Sequence, residues 1–564
     1  MKKDITPHNS AEILSALREI NPFWANKEWP DLPQIRRYPF YSAINYLEEI
    51  GSQRALFLKG FRGVGKSTLL RQIGNWLRNE GKVEAKNIVY VDFEKRPLRQ
   101  IPWKAWFNVW EKEFKPAEGH IYFLLDEIQY ADDWAQEVRS MLVNSQYRII
   151  ATGSAAAEIQ TVLDQEVRRW ISLSVPALLF YEYLLIFHSN SNAYLENEIL
   201  KGRSFLQEGM LDSTVLNRIS GDLKEVFKSY LLHGGFPEIA NVNLNLTDAQ
   251  RLLADVVDKA LYQDMRTQFS RQDIENLERL FEYICRNPGV LLDKSKVSGM
   301  LQVSRPTTAR YVKALEDGDF ICSLNNQKRA GKAPLKAKPK VYPSDASLRN
   351  SFLGRTEEVL LQPEEMGHIV EGSVAAHLSA YAQAEGGQIG YWRKKDNEEI
   401  DFIYKGTDSK YWVIESKYGQ SNAKWLRALE KWPASEKERV SICFLVNRDA
   451  ADAKERAPSK ELPAFSPSKA EGRLVLDLSS PREKAVLTST DLSLNVERSI
   501  KCPLHVIPAP VFLYLLSREL WIKANKKIAD KNPTTGALTG KAEIEGSTNI
   551  TAGSTGIKMT KKST

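Results

Sequence analysis

Gly60, Arg62, Gly63, Val64, Gly65, Lys66, Ser67 and Thr68 are the residues whose types and spacing speak most clearly of chemistry. They follow the apolar run Ala55–Leu58 and fit the pattern GxxxxGK[ST]. Glycines at these positions let successive backbone N–H groups turn inward, and a helix starting at Ser67 adds its positive end, so the segment is shaped to surround phosphates. Lys66 would bring a mobile cation to the β- and γ-phosphates of ATP, and the Ser67 hydroxyl would ligate Mg2+. A second apolar run, Ile121–Leu125, ends in Asp126 and Glu127. Asp126 would hold the magnesium, directly or through water, while Glu127 would polarise the attacking water. The run Arg148–Ala151 ends in Thr152 and Ser154, which read either as sensors of the γ-phosphate or as hydroxyls capping the next helix.

A second constellation lies in the C-terminal half. A helix over 363–385 carries Glu371, and strand-like runs follow at Gln388–Arg393, Glu398–Tyr404 and Tyr411–Lys417. A helix around Asn422–Trp432 and an apolar strand, Ile442–Val446, complete the set. This is the core order of a restriction-endonuclease-like α/β domain. A turn at Gly406–Ser409 places Asp401 across from Ile414 or Glu415, about 5–6 Å apart at Cβ. Glu415 and Lys417 share a face. Converging carboxylates beside an apolar strand are costly unless a cation joins them. Mg2+ held by Asp401, Glu415 and either the Ile414 carbonyl or Glu371 would generate hydroxide, with Lys417 orienting it against a phosphodiester. The alternatives are a solvated charged hairpin face, or a nuclease-like fold kept for binding.

The elements that must position these residues divide the chain. Short apolar runs alternating with helices over 54–174 predict a parallel sheet covered on both faces. We expect a lead-in at 1–45, a P-loop NTPase domain at 46–190 and a helical segment at 191–285, broken by His233-Gly-Gly-Phe-Pro237. A winged helix follows at 286–345, then the restriction-endonuclease-like α/β domain at 346–528 and a disordered tail at 529–564. In the winged helix, Ser304 caps a second helix that Gly318 stops. Ala309, Val312 and Leu315 should pack inward, leaving Thr307, Arg310 and Lys313 on another face, with Lys328–Lys340 as the wing. Such a module over 291–340 would bind DNA by its second helix and its lysines, or serve as a lid or docking module.

The net charge of +7 is local: residues 328–340 carry six basic and no acidic side chains, and residues 521–564 carry eight basic against three acidic. That suits either an anionic partner such as nucleic acid or a solvated loop with a solubilising tail. Four scattered cysteines form neither a disulfide framework nor a zinc motif. Met1-Lys-Lys lacks a following apolar stretch, and Val175–Phe187 is too short for the roughly 20 residues of a membrane helix. A cytoplasmic protein with no membrane segment is expected.

Asn21-Pro-Phe-Trp24, Gly60–Thr68, Leu125-Asp-Glu-Ile-Gln129, Ala151-Thr-Gly-Ser154, Glu182 within Phe180–Tyr183 and Gly234-Gly-Phe-Pro237 resemble the AAA-type ATPases of bacteria and archaea in which a winged helix and a restriction-nuclease-like domain of poorly known function follow the ATPase. The resemblance extends over roughly residues 20–516, ending at Ile507–Leu513. It implies that Thr152 or Ser154 is the sensor residue, and that an arginine near Arg168 and Arg169 contacts phosphate, in cis or from a neighbour. This chain has Val167-Arg168-Arg169 where the family has a Gly-Arg pair. It also implies nuclease roles for Glu371, Asp401, Glu415 and Lys417, although Ile400 stands where the motif has proline. The expectation is an ATPase whose cycle moves a winged helix and a nuclease-like domain on DNA. Its rivals are a binding or signalling ATPase with a non-cutting C-terminal module, and an oligomeric ring motor.

Overall fold

A computed structural model describes residues 10–30, 32–49, 54–114, 118–154, 169–200, 213–240, 245–327, 337–393, 398–418, 439–447, 492–496 and 500–531, with a few single positions between them. Helices α1 (Ser10–Ile20) and α2 (Tyr38–Glu49) precede the first strand. Strands β1 (Ala55–Gly60), β2 (Ile88–Asp92), β3 (Ile121–Asp126), β4 (Tyr147–Ser154) and β5 (Trp170–Ser174) form one sheet in the order β2-β3-β4-β1-β5. Every pairing in it is parallel. The central strands are largely apolar and buried because helices cover both faces: α3 (Lys66–Asn79) on one side, α4 (Trp103–Phe114) and α5 (Trp134–Met141) on the other. Trp103, Trp106 and Trp110 recur at helical spacing along α4 and bury against Phe93 and Phe123. This parallel five-stranded sheet with its helices resembles the P-loop NTPase fold.

Helix α6 (Phe180–Phe187) leads into a helical segment made of α7 (Ser213–His233), α8 (Leu246–Lys259) and α9 (Arg271–Arg286). Ser270 and Asp273 form a capping box at the start of α9. Helices α10 (Lys294–Leu301) and α11 (Arg305–Asp317) are capped by the Asp293 and Ser304 side chains. Val312 and Leu315 are buried as expected, joined by Thr308 and Tyr311, while Ala309 is only half-buried. Arg310 pairs with Asp273 at 3.3 Å and lies over the Phe269 ring, and Lys313 pairs with Asp317 at 3.1 Å. Of the wing expected at Lys328–Lys340, positions 328–336 lie outside the described residues.

Strands β6 (Val290–Leu291), β7 (Ile321–Asn326) and β8 (Lys340–Pro343) join the strands of the C-terminal half in one sheet. Those are β9 (Gln388–Arg393), β10 (Glu399–Lys405), β11 (Tyr411–Lys417), β12 (Val440–Asn447), β13 (Leu492–Val496) and β14 (Ile500–Pro508). The junction is a parallel pairing of β7 with β9, Asn325 opposite Gly390 and Asn326 opposite Tyr391. Helices α12 (Ala346–Phe352) and α13 (Pro363–Ala384) separate the two groups of strands in the chain. Most of the helix expected at Asn422–Trp432, and all of the tail from 532 onward, lie outside the described residues.

The last helix, α14 (Ala509–Lys531), packs back on the N-terminal part of the chain. The Tyr181 N–H donates to Ser517 Oγ (3.0 Å), Trp521 Nε1 to the Arg36 carbonyl (3.0 Å), and Asn45 Nδ2 to the Ala524 carbonyl (3.1 Å). Among the described residues, no helix is long and apolar enough to cross a membrane.

Candidate functional site

The phosphate loop lies between β1 and α3. Gly63 and Gly65 hold φ of 83° and 95°, a left-handed backbone that side-chain-bearing residues rarely adopt, and it is this that turns the loop's amides inward. Gly60 is demanded by space: a Cβ there would stand 2.3 Å from the Val175 carbonyl oxygen. Lys66 is buried and donates to the carbonyls of Gly60 and Phe61, each at 2.9 Å, so its ammonium is held at the mouth of β1 by the loop's own backbone. Ser67 and Thr68 open α3.

Asp126 is buried at the end of β3, one strand away. It accepts from Ser67 Oγ (3.1 Å), from the Tyr90 hydroxyl (2.7 Å) and from Thr152 Oγ1. Burial, and then the neighbouring Glu127 charge, pushes its carboxyl up to about 6. The Ser67 hydroxyl and the Asp126 carboxyl are oxygen ligands of the kind a divalent cation takes, and the cation's charge would favour the ionised carboxylate, so these two residues would hold it. Glu127 takes a left-handed conformation (φ 50°), and its Oε2 accepts from Gln129 Nε2 (2.5 Å), the Ser154 N–H (3.2 Å) and Ser154 Oγ (3.4 Å). Thr152 Oγ1 also accepts the Glu127 N–H at 3.1 Å, so one hydroxyl orients both acids. Thr152 is therefore an organiser beneath the acids, and Ser154 is the hydroxyl beside the Glu127 carboxylate.

The helical segment covers this loop. A Cβ on Gly63 would come within 3.6 Å of Phe236 and Val256, and one on Gly65 within 3.7 Å of Pro237. Asp264, on the irregular turn after α8, meets Arg62 at 3.4 Å; Arg62 also pairs with Glu94 at 2.7 Å. Burial raises the Asp264 carboxyl above its ordinary range, against the pull of Arg62, a Ser154 hydrogen bond and the Lys66 charge. A cavity of about 1240 Å³ lies beside the loop, lined by Lys59, Val64, Asp293, Val312, Lys313 and Ala376 among others. Phe61 and Val64 of the phosphate loop also line it, whereas Lys66 and Asp126 do not, so the cavity borders the loop on a flank away from the two acids. Helix α11 thus turns part of its surface towards the phosphate-loop domain and α13.

Arg169 corrects one expectation. Its carbonyl accepts the Ala55 N–H at 2.8 Å, so it sits at the start of β1, while the phosphate loop leaves from the other end of that strand, roughly 16 Å away. An arginine side chain cannot span that distance, which removes contact in cis; Arg168 lies outside the described residues.

The C-terminal residues do converge. Phe402 pairs with Ile414 across β10 and β11, which brings Asp401 beside Glu415. The Asp401 N–H donates to Glu415 Oε2 (3.2 Å), and Lys417 Nζ lies 3.0 Å from Asp401 Oδ2 and 2.9 Å from Glu415 Oε1. Sequence reasoning missed Lys340. Its ammonium lies 3.0 Å from Glu371 Oε1, 2.8 Å from Glu399 Oε1 and 3.0 Å from Asp401 Oδ1. Burial alone would raise Asp401, but the Lys340 and Lys417 ammoniums hold its carboxyl below the ordinary range. Burial and the Asp401 charge push Glu415 the other way. Lys340, between Glu371 and Asp401, and Lys417, between Asp401 and Glu415, together occupy the space among the acids that the sequence reading gave to magnesium. Among the described residues, no group of three or more His, Cys, Asp or Glu side chains is arranged to hold a metal ion. The cluster does not fit the metal expected there.

Residues 52–184 match a family described as AAA domain. This segment resembles an AAA domain, which supports an AAA-type P-loop ATPase. Residues 224–359 and 366–460 match two families described as domains of unknown function (DUF8612 and DUF4143). An uncharacterised protein of Haemophilus influenzae is 25% identical over 383 residues, covering 65% of this chain and 85% of its own. The uncharacterised protein MJ1637 of Methanocaldococcus jannaschii is 25% identical over 398 residues, covering 69% of this chain and 81% of its own. Among solved structures, the Aeropyrum pernix ORC1 protein in complex with DNA is 12% identical, covering 59% of this chain and 96% of its own, at a TM-score of 0.24. AMPPCP-bound DnaA from Aquifex aeolicus is 16% identical, covering 49% and 86%, at a TM-score of 0.18. At such scores these two likenesses carry no argument.

Proposed function

We propose that the protein binds ATP and hydrolyses it with Mg2+, and that the nucleotide state of the loop is passed to the helical segment lying on it. The observation that carries this reading is the placement of Lys66 and Ser67 after β1 and of Asp126 and Glu127 after β3, on either side of β4, with Ser67 bonded to Asp126 and Thr152 of β4 bonded to both acids. Magnesium, when bound, supplies charge to offset that of the phosphates. Lys66 exchanges its two backbone carbonyl partners for phosphate oxygens. Ser67 and Asp126 turn oxygens towards the metal, and Glu127, steadied by Gln129 and Ser154, takes up the proton of the attacking water. Coupling follows from contact, since a nucleotide held by Arg62 and Lys66 must share its space with Asp264, Phe236 and Pro237 of the helical segment.

DNA is the partner that the winged-helix pattern and the basic loop suggest, and oligomerisation would be one way for Arg169 to serve a neighbouring site. For the C-terminal domain, a non-cutting interaction module is favoured over a nuclease, because an ammonium already stands among its acids. Two assays test the reading. Phosphate release from ATP, with and without DNA, should occur in the wild type and vanish in Lys66→Ala. Plasmid nicking should be no greater for the wild type than for Asp401→Ala, with or without ATP; nicking that depends on Asp401 would restore the nuclease reading.

A further inference from the structure

The acids of the C-terminal cluster come from different elements: Glu371 from α13, Glu399 and Asp401 from β10, and Glu415 from β11. Lys340 comes from a fourth element, the wing strand β8, which reaches this sheet only through β7. Its side chain is 5% exposed, and its ammonium makes ion pairs to three carboxylates at once. Distances of 2.8–3.0 Å are those of an ammonium donating to carboxylate oxygens. Mg2+ would need its oxygens at about 2.0–2.1 Å and could not share the space. The surroundings suit a monovalent organic cation. The rings of Tyr342 and Phe402 lie 5.7 and 5.8 Å from the ammonium, within cation–π range, and the Tyr342 hydroxyl donates to Glu371 at 2.6 Å. Two further cations complete the network, Lys417 at the buried Asp401 and Glu415 and Arg393 at the more exposed Glu399 (3.3 Å).

We propose that Lys340 is the resident cation of this cluster, in place of a divalent metal, so that the wing strand and the acidic sheet are joined through its ammonium and a metal site arises only where Lys340 is absent. A buried charge removed from such a network leaves its partners uncompensated, which is why its loss would create an appetite for another cation. Lys340 and its acids share no residue with the nucleotide site, so metal binding at the two can be measured separately.

Mn2+ binding to the full-length chain is measured by electron paramagnetic resonance without nucleotide, in an Asp126→Asn background that silences the phosphate loop. With Lys340 present, the expected result is no bound Mn2+ that Asp401→Asn removes, up to millimolar metal. Lys340→Met and Lys340→Gln should each gain one Mn2+ per chain, lost again on adding Asp401→Asn, and Mn2+ should raise their Tm. Asp401-dependent Mn2+ binding in the chain that keeps Lys340 would overturn the proposal. So would two variants that fold, as judged by circular dichroism, yet gain no metal. Should neither variant fold, the measurement on the Lys340 chain decides by itself.

Discussion

Lys66 and Glu127 can be separated experimentally because they act on different atoms. Lys66→Ala removes the one ammonium that the loop holds at the mouth of β1, so nucleotide binding should fall below detection in a fluorescent-ATP titration. Glu127→Gln keeps the shape and loses the base, so binding should persist while phosphate release drops about 10²–10⁴-fold. Turnover surviving either change would refute the assignment. Both residues were legible in the sequence because their signals are local: a loop pattern and a pair of acids closing an apolar run. Tyr90, which hydrogen-bonds Asp126 from the neighbouring strand, was not, since nothing in β2 announces which tyrosine meets an acid 36 positions away. In the sequence Lys340 reads only as one of the wing lysines that would meet DNA or solvent; its burial depends on which sheet the wing strand enters.

At the scale of elements, His377 shows how two parts of the chain are fastened. It lies on α13, with Nδ1 bonded to the Ser373 carbonyl (2.8 Å) and Nε2 accepting the Phe180 N–H at the start of α6 (2.9 Å). Burial depresses its pKa to about 4. The folded protein thus binds fewer protons here than the unfolded chain, whose histidine titrates near 6.5. The stabilising contribution is complete above about pH 6.5 and is lost as pH falls to about 4, up to about 3 kcal/mol. His377→Asn should flatten this part of the stability profile in denaturant titrations between pH 4 and 7; an unchanged slope would show that another group titrates. Glu182 belongs to the same scale. It accepts from Arg37 Nε (3.0 Å) and the Tyr38 N–H (2.9 Å), so this motif acid pins α2 to α6 and has a structural task.

For the molecule as a whole, contact between the helical segment and the phosphate loop should register in affinity. Asp264 adds a negative charge where phosphates must enter, so Asp264→Asn should tighten ATP binding by roughly tenfold, or about 1.4 kcal/mol. Unchanged or weaker binding would place Asp264 outside the nucleotide's path. The return of α14 is the other whole-molecule feature. Arg518, buried, meets Glu196 through two bonds of 2.5 and 2.6 Å, and Tyr514 donates to the same carboxylate at 3.1 Å. Glu196→Gln strands a buried guanidinium and should cost about 3–5 kcal/mol in unfolding experiments. Loss of under 1 kcal/mol would mean that this ion pair does not hold the helix in place.

Taken by itself, the sequence determined the parallel sheet, the phosphate loop with its two acids, and the hairpin that sets Asp401 beside Glu415, because each is written in residues a few positions apart and governed by strand or helix period. Only the tertiary structure decided what covers the loop, at which end of β1 Arg169 sits, that α14 closes on α2, and which cation stands among the C-terminal acids. Those outcomes depend on contacts between residues tens to hundreds of positions apart, where burial and charge pairing act through space and leave no local pattern to read.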